Sequence, residues 1–162
     1  MYSALDDERT FVPVEADRPE PVRSEVGVQV FDFAQVARIA VRHAGEDLGS
    51  RLAEIERDAL GRNVILFQAW LKMDTPAVAS AVRTLRSRGY SLGGILPRWF
   101  DTDGLLMQQV RCRPDFQSIV LYSDRARDIL RIVAQDWERS HHKPYPRSSG
   151  NTSSMIGYSS RS

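Results

Sequence analysis

The chain has 162 residues, of which 42% are hydrophobic and 27% are charged, and its formal net charge at pH 7 is +1. This length and balance are typical of one globular domain with its own core, and the shortness of the apolar runs excludes a membrane-spanning helix. A single cysteine excludes an intrachain disulfide and a multi-cysteine metal site. We therefore expect a cytoplasmic protein that holds no metal and contacts no membrane.

The two ends of the chain differ in charge and composition from the middle. Residues 1–25 carry seven acids against three arginines and include three prolines, which predicts a flexible segment. Residues 139–162 carry four basic residues and no acid, in a Ser-rich composition that predicts a disordered tail. We expect the folded domain at 26–138. Four dispersed basic charges do not make the stripe of a nucleic-acid-binding domain, so we expect no nucleic-acid partner.

Hydrophobic periodicity predicts an alternation of strands and helices between these ends. The predicted strands are 26–33, 36–41, 64–71, 90–96, 105–110 and 119–122, and the predicted helices are 46–60, 76–88 and 123–138. The run 64–71 is almost continuously apolar, which is typical of an interior strand covered on both faces. The helices have apolar stripes at Leu48, Leu52, Ile55 and Ala59, at Val78, Ala81, Val82 and Leu85, and at Ala126, Ile129, Leu130, Val133 and Trp137.

Local sequence signals predict where the second helix begins and ends and where the third begins. Asp74 or Thr75 is the predicted N-cap of the second, with Pro76 in its first turn and Gly89 just past its end. Ser123 is the predicted N-cap of the third. The order of elements predicts an α/β (α+β) fold, a mixed sheet covered by helices.

Residues 36–110 resemble the C-terminal half of the GNAT acyltransferase fold. The features that carry the resemblance are a glycine-containing loop after Val41, a helix with Leu48-Gly49-x-x-Leu52, a following strand and helix that includes Ala81, the ending Leu85-x-x-x-Gly89-Tyr90, and Asp103-Gly104-Leu105-Leu106-Met107. The resemblance implies a GNAT-like mixed sheet flanked by helices, here with an added C-terminal helix. It also implies acyl transfer from acetyl-CoA or another acyl-CoA to a small-molecule substrate.

The same resemblance implies a loop that binds the cofactor's pyrophosphate through backbone N–H groups at a helix N-terminus. The corresponding positions include Gly45, Leu48 and Gly49, but only Gly49 fits the family's pattern. Glu46 and Asp47 interact favourably with the positive end of the helix themselves, and they repel a pyrophosphate. Two hypotheses therefore stand: an acyltransferase-like or diverged enzyme, and a non-catalytic ligand-binding or interaction module.

The segment 93–103 concentrates an arginine, a tryptophan and two acids within one predicted hairpin loop. As a pocket wall, it has Arg98 and Trp99 as substrate-binding residues and Asp101 or Asp103 as a catalytic base. The alternative is a structural hairpin whose aromatic residues cap the core and whose acids make turn hydrogen bonds. His43, at the end of a strand next to the cofactor loop, is a third catalytic candidate because its ordinary pKa suits a base.

The resemblance implies that the fold begins with strands and helices that build the acceptor site. Here only about ten residues, 26–35, precede the strand that leads to the cofactor loop. A sheet without those first elements has an uncovered face or edge, and such edges pair with other chains. We expect a homodimer, with 26–33 at or near the contact. The competing prediction is that the C-terminal helix covers the same surface within one chain.

Overall fold

The computed structural model describes residues 23–141, so the predictions for residues 1–22 and 142–162 lie outside the described residues. The strands are β1 (Glu25–Phe31), β2 (Val36–His43), β3 (Leu66–Lys72), β4 (Ser91–Leu96) and β5 (Gly104–Val110), and the helices are α1 (Leu48–Leu60), α2 (Val78–Ser87) and α3 (Asp124–His141). Short 3-10 turns lie at Asp32–Ala34 and Phe116–Ser118. This confirms the predicted α/β class with an added C-terminal helix.

The strands form one mixed sheet in the order β1-β2-β3-β5-β4. β2 and β3 are parallel, while the β1–β2, β3–β5 and β4–β5 pairs are antiparallel. β3 lies in the interior, as its continuous apolar run predicts. The carboxyl ends of β2, β3 and β4 therefore lie at one end of the sheet, which we call the site end.

The core lies between one face of the sheet and the helices α1 and α2. Alternate residues of the strands point to this face, and the apolar stripes of the two helices pack on it. The buried cluster includes Ala37, Ile39 and Val41 of β2, Phe67, Ala69 and Leu71 of β3, Leu48, Leu52 and Ala59 of α1, and Ala81 and Leu85 of α2. The predicted stripes of both helices are thus confirmed, with Ile55 and Val82 partly buried against the cluster.

The ends of the helices agree with the sequence signals at some positions and differ at others. Gly89 adopts a left-handed φ of 85°, and Tyr90 N–H donates to the Leu85 carbonyl, which forms the expected glycine ending of α2. Ser123 Oγ accepts a hydrogen bond from Ala126 N–H at 3.2 Å, which confirms that cap. The predicted cap of α2 is wrong: the helix begins at Val78, after Pro76, and has no side-chain cap.

The prediction of a strand at 119–122 is also wrong. This segment forms no ladder, and Val120 and Tyr122 on it are almost fully exposed. The reason lies at the edge of the sheet, where α3 packs against β4. Leu92 N–H of β4 donates to the Asp136 carboxylate of α3 at 2.7 Å, so helix contacts take the place of a further strand. α3 also runs three residues past the predicted end at 138, to His141.

Within residues 23–141, none of the helices combines the length and apolar character needed to cross a bilayer.

We propose that β1 forms the contact of a homodimer. β1 lies at the edge of the sheet opposite β4, and Val28 on it is 47% exposed. Because α3 packs on β4, it does not cover the β1 edge. In sedimentation equilibrium at micromolar protein we expect a mass of about 37 kDa, twice the 18.4 kDa of one chain.

A lysine in place of Val28 tests this contact, because a charge on an edge strand opposes pairing. We expect Val28→Lys to lower the mass to that of one chain, while Val120→Lys, at an exposed position away from β1, leaves it unchanged. A mass near 18.4 kDa for the unmodified protein at every concentration contradicts the dimer.

Candidate functional site

The candidate residues come from two connections that meet the sheet at the site end. His43 is the last residue of β2, and the loop that follows it leads into α1. The second connection joins β4 to β5, and Leu96 and Gly104 at its two ends are register partners. Gly104 is also in register with Lys72, the last residue of β3. The topology therefore brings the predicted catalytic, substrate-binding and cofactor-binding residues to one end of the sheet.

The start of α1 is hydrogen-bonded to the residues that precede β1. Gly45 N–H donates to Ser24 Oγ at 2.9 Å, and Ser24 N–H donates to the Asp47 carboxylate at 2.7 Å. Ser24 is buried, with 8% of its surface exposed. Ser24 and Asp47 thus form a bridge across the loop between β2 and α1, and we call it the Ser24–Asp47 bridge.

The bridge also determines the charge state of Asp47. Hydrogen bonds from Ser24 lower the pKa of this carboxyl below its ordinary value, because they stabilise the ionised form. Asp47 is therefore negative at neutral pH, at the residue before the first turn of α1. A carboxylate at this position interacts favourably with the positive end of the helix, as the sequence predicts.

The three predicted cofactor-binding positions have different environments. Gly45 is buried beneath the bridge, and Leu48 has its side chain in the core with 2% of its surface exposed. Leu48 N–H donates to the Gly45 carbonyl at 3.3 Å. Gly49 lies near α2, where a Cβ would meet Thr84 at an ordinary contact distance of 3.8 Å. Of the three, Gly45 has its N–H group engaged by the bridge.

The β4–β5 loop is a tight turn closed by one of its own acids. Asp103 accepts a hydrogen bond from Arg98 N–H at 3.1 Å, and its carbonyl accepts one from Met73 N–H at 3.0 Å. Arg98 and Asp101 adopt left-handed φ values of 56° and 62°, and both side chains are exposed. Asp103 therefore makes a turn hydrogen bond, as the alternative interpretation of a structural hairpin predicts. The catalytic roles of Asp101 and Asp103 and the anion-binding role of Arg98 stay predictions.

His43 lies opposite Glu25 in the register of β1 and β2. Its ring is partly buried, with Nε2 hidden from solvent. The geometry leaves its predicted role as a base untested. Among residues 23–141 no group of three or more histidine, cysteine, aspartate or glutamate side chains could hold a metal ion.

Sequence reasoning missed an arginine surrounded by aromatic rings on the sheet face opposite the helices. The Arg38 guanidinium lies 4.3 Å from the ring centroid of Trp70 and 5.1 Å from that of Phe31. Trp99 from the β4–β5 loop meets Trp70 edge to face, with centroids 4.2 Å apart. We call these four residues the Arg38 cluster. Trp99 was predicted as a substrate-binding residue, whereas Arg38 and Trp70 come together through strand register, which the sequence pattern does not specify.

No protein-family model matches the chain, and no curated protein matches its sequence. Solved structures that match include a ribosomal-protein-alanine N-acetyltransferase from Brucella melitensis, with 20% identity over 54% of this chain and 60% of that one, at a TM-score of 0.42. Ard1 from Thermoplasma volcanium matches with 15% identity over 56% of this chain and 64% of that one, at a TM-score of 0.43.

The N-terminal domain of a ribosomal-protein-alanine acetyltransferase from Clostridium acetobutylicum matches with 8% identity over 54% of this chain and 72% of that one, at a TM-score of 0.40. Each of these matches covers a little more than half of this chain. The chain spans less than two thirds of the length of the Brucella and Thermoplasma proteins. At these identities and TM-scores no residue role passes from those proteins to this chain.

Proposed function

We propose that this chain is a ligand-binding module with an acyltransferase-like sheet, and that it does not bind the pyrophosphate of an acyl-CoA at the start of α1. The observation that carries the proposal is the Ser24–Asp47 bridge. It engages the Gly45 N–H and places an ionised carboxylate beside the helix N-terminus.

The physical argument concerns the groups that a pyrophosphate needs. A helix N-terminus binds phosphate through backbone N–H groups and through the positive end of the helix dipole. Here Gly45 N–H already donates to Ser24 Oγ. The Asp47 carboxylate accepts from Ser24 N–H and makes no capping hydrogen bond, but its charge lies at the residue before α1. A pyrophosphate at the same place would meet a negative charge within a few ångströms, which is repulsive at any dielectric. Glu46, which is exposed beside it, adds a second negative charge.

The second candidate function is acyl-CoA-dependent acyl transfer. It is favoured by the parallel β2–β3 pair, with α1 beginning just beyond the carboxyl end of β2. His43, Asp101 and Asp103 belong to the same end of the sheet, where a base could act on an acceptor. This function requires Ser24 to leave Gly45 and Asp47, because both of its hydrogen bonds involve the loop that would hold the cofactor.

Calorimetric titration with acetyl-CoA distinguishes the two functions. We expect no saturable binding up to about 1 mM ligand, because the bridge competes with the pyrophosphate for the same groups. A dissociation constant in the micromolar range contradicts the proposal and favours the acyltransferase.

A pair of variants tests whether the bridge is the cause. Asp47→Gly removes a charge and the acceptor of Ser24 N–H, whereas Glu46→Gly removes a charge from the exposed neighbour and leaves the bridge intact. We expect Asp47→Gly to bind acetyl-CoA at least ~10-fold more tightly than Glu46→Gly does. Equal affinities in the two variants would show that net charge, and not the bridge, controls binding.

A further inference from the structure

A polar row crosses the sheet on the face opposite α1 and α2. Gln29 of β1 is in register with Arg38 of β2, Arg38 with Gln68 of β3, and Gln68 with Gln108 of β5. Arg38 lies between Ala37 and Ile39, whose side chains are fully buried on the helix side, so its own side chain belongs to the opposite face. The row therefore presents one cation flanked by neutral amides.

Within residues 23–141, Arg38 has no acid partner on this face. Two further cations point to the same face nearer the site end, and each has a carboxylate. Arg42 lies 3.9 Å from Glu25, and Lys72 lies 3.3 Å from Asp74. Arg38 contacts the rings of the Arg38 cluster instead, and no acid of residues 23–141 pairs with it. Aromatic rings interact favourably with the flat face of a guanidinium, but they supply no acceptor for its N–H groups.

Two donors of the cluster are buried and have no hydrogen-bond acceptor in the described part of the chain. They are Arg38 Nε and Trp70 Nε1. Trp70 is 93% buried, since only 7% of its surface is exposed. Buried polar groups nearly always have a partner, and a group that lacks one calls for an explanation, of which a bound water, ion or other acceptor is one. Two such donors on neighbouring strands, one of them on a cation, indicate a ligand that supplies acceptors.

We propose that the Arg38 cluster binds a small monocarboxylate with a flat apolar body. A carboxylate matches the guanidinium fork with two parallel hydrogen bonds, and its single charge matches that of Arg38. The rings of Phe31, Trp70 and Trp99 suit a planar body. The inference rests on the proposed function, because it names the ligand of the binding module.

Trp99 is the exposed ring of the Arg38 cluster. It stands edge-on to Trp70 and is 51% exposed, so it has solvent on one side and the cluster on the other. It lies on the β4–β5 loop between Leu96 and Gly104, outside the hydrogen-bonded ladder. A ligand that reaches Trp70 Nε1 displaces the Trp99 ring and exchanges the edge-to-face contact for its own.

Indole N–H signals of the 15N-labelled full-length protein test the proposal, because the chain has only three tryptophans. The probe is sodium benzoate, titrated against sodium chloride of equal ionic strength, with inorganic phosphate as a second anion. We expect benzoate to shift the Trp70 and Trp99 signals saturably and phosphate to leave them unchanged. The Trp137 signal, from a ring 6.0 Å from Phe116 beside α3, reports that each sample is folded.

Arg38→Gln and Arg42→Gln form a matched pair on the same strand and face. We expect Arg38→Gln to weaken benzoate binding at least ~10-fold and Arg42→Gln to leave it within about twofold. The reason is that Arg42 pairs with Glu25, whereas Arg38 has no carboxylate partner in the described part of the chain. If Arg38→Gln does not fold, Arg38→Lys is the variant to titrate, because it keeps the positive charge and loses the paired N–H donors of the guanidinium. We expect Arg38→Lys to weaken benzoate binding as well.

Three results overturn the inference: no saturable shift, unchanged benzoate affinity in the Arg38 variant that folds, or phosphate binding as tightly as benzoate. Micromolar binding of acetyl-CoA overturns the proposed function and leaves the benzoate result standing, so the two failures are distinguishable.

Discussion

Replacing Glu56 with alanine lowers the free energy of unfolding by about 2–3 kcal/mol, because it leaves two partly buried groups without their acceptor. Glu56 accepts hydrogen bonds from the Arg88 guanidinium at 3.1 and 2.5 Å and from the Tyr90 hydroxyl at 3.0 Å. These bonds tie α1 to the end of α2 and the start of β4. Burial, and then the Glu56 carboxylate, raise the pKa of Tyr90 far above its ordinary value, so the hydroxyl stays a donor.

Urea denaturation measures the loss, with Glu54→Ala as the control. Glu54 is exposed on the same helix, so its removal changes the charge equally but is expected to cost less than about 0.5 kcal/mol. Tyr90→Phe is expected to fall between the two, because it removes one hydrogen bond and leaves the ion pair. Equal stabilities of the two glutamate variants would show that the Glu56 contacts do not hold the helices together.

Replacing Asp136 with alanine releases α3 from the edge of the sheet. The Asp136 carboxylate accepts two hydrogen bonds from Arg86, at 2.6 and 2.8 Å, and one from Leu92 N–H at 2.7 Å. Without it, the Leu92 N–H at the edge of β4 loses its acceptor. Arg86 loses its carboxylate partner and keeps the Ser140 hydroxyl as an acceptor. We expect hydrogen exchange at Leu92 and across α3 to accelerate at least ~10-fold, with a loss of stability of about 2 kcal/mol.

Asp128→Ala is the control for this variant. Asp128 lies on α3 as well, but its side chain is half exposed and forms an ion pair with Arg131 of the same helix at 2.9 Å. Its removal is expected to leave exchange at Leu92 unchanged. If Asp136→Ala also leaves that exchange unchanged, the apolar contacts of α3 hold the helix without the carboxylate.

The same contact makes the docking of α3 sensitive to acid. Burial acts to raise the pKa of Asp136, but hydrogen bonds from Arg86 and from Leu92 N–H outweigh it, and the pKa is lowered. A carboxyl whose folded pKa is lowered stabilises the fold fully above its unfolded pKa of about 3.9. This contribution is lost as pH falls through the lower folded value, so α3 is expected to stay docked at pH 5 and above.

The periodic parts of the fold could be predicted from the sequence, because burial of one face of a helix or strand places apolar residues at regular intervals along the chain. The stripe of α1, the glycine ending of α2 at Gly89 and the interior position of β3 are examples. The strand predicted at 119–122 failed because β-branched composition shows that a segment can form a strand, not that an edge is free to pair with it. The β4 edge is instead covered by α3, which is held there by contacts such as the one between Asp136 and Arg86, 50 residues apart in the sequence.

The candidate site was predicted less completely, because its decisive contacts join distant residues. Ser24 belongs to the segment 1–25 that was predicted to be flexible, yet it is buried against Gly45, 21 residues away. The pairing of Arg38 with Trp70 depends on the register of β2 and β3, which composition does not determine. The sequence did identify Asp47 as an acid at the start of α1. Its assignment of Trp99 as a substrate-binding residue stays a prediction.

The amide signal of Gly45 tests the central claim most directly, because this N–H group donates either to Ser24 Oγ or to a cofactor phosphate. In the 15N-labelled protein at pH 7, we predict that the Gly45 amide is protected from exchange and keeps its chemical shift in about 1 mM acetyl-CoA. A saturable shift of this signal on addition of acetyl-CoA would contradict the account. It would indicate that the start of α1 binds the pyrophosphate of an acyl-CoA.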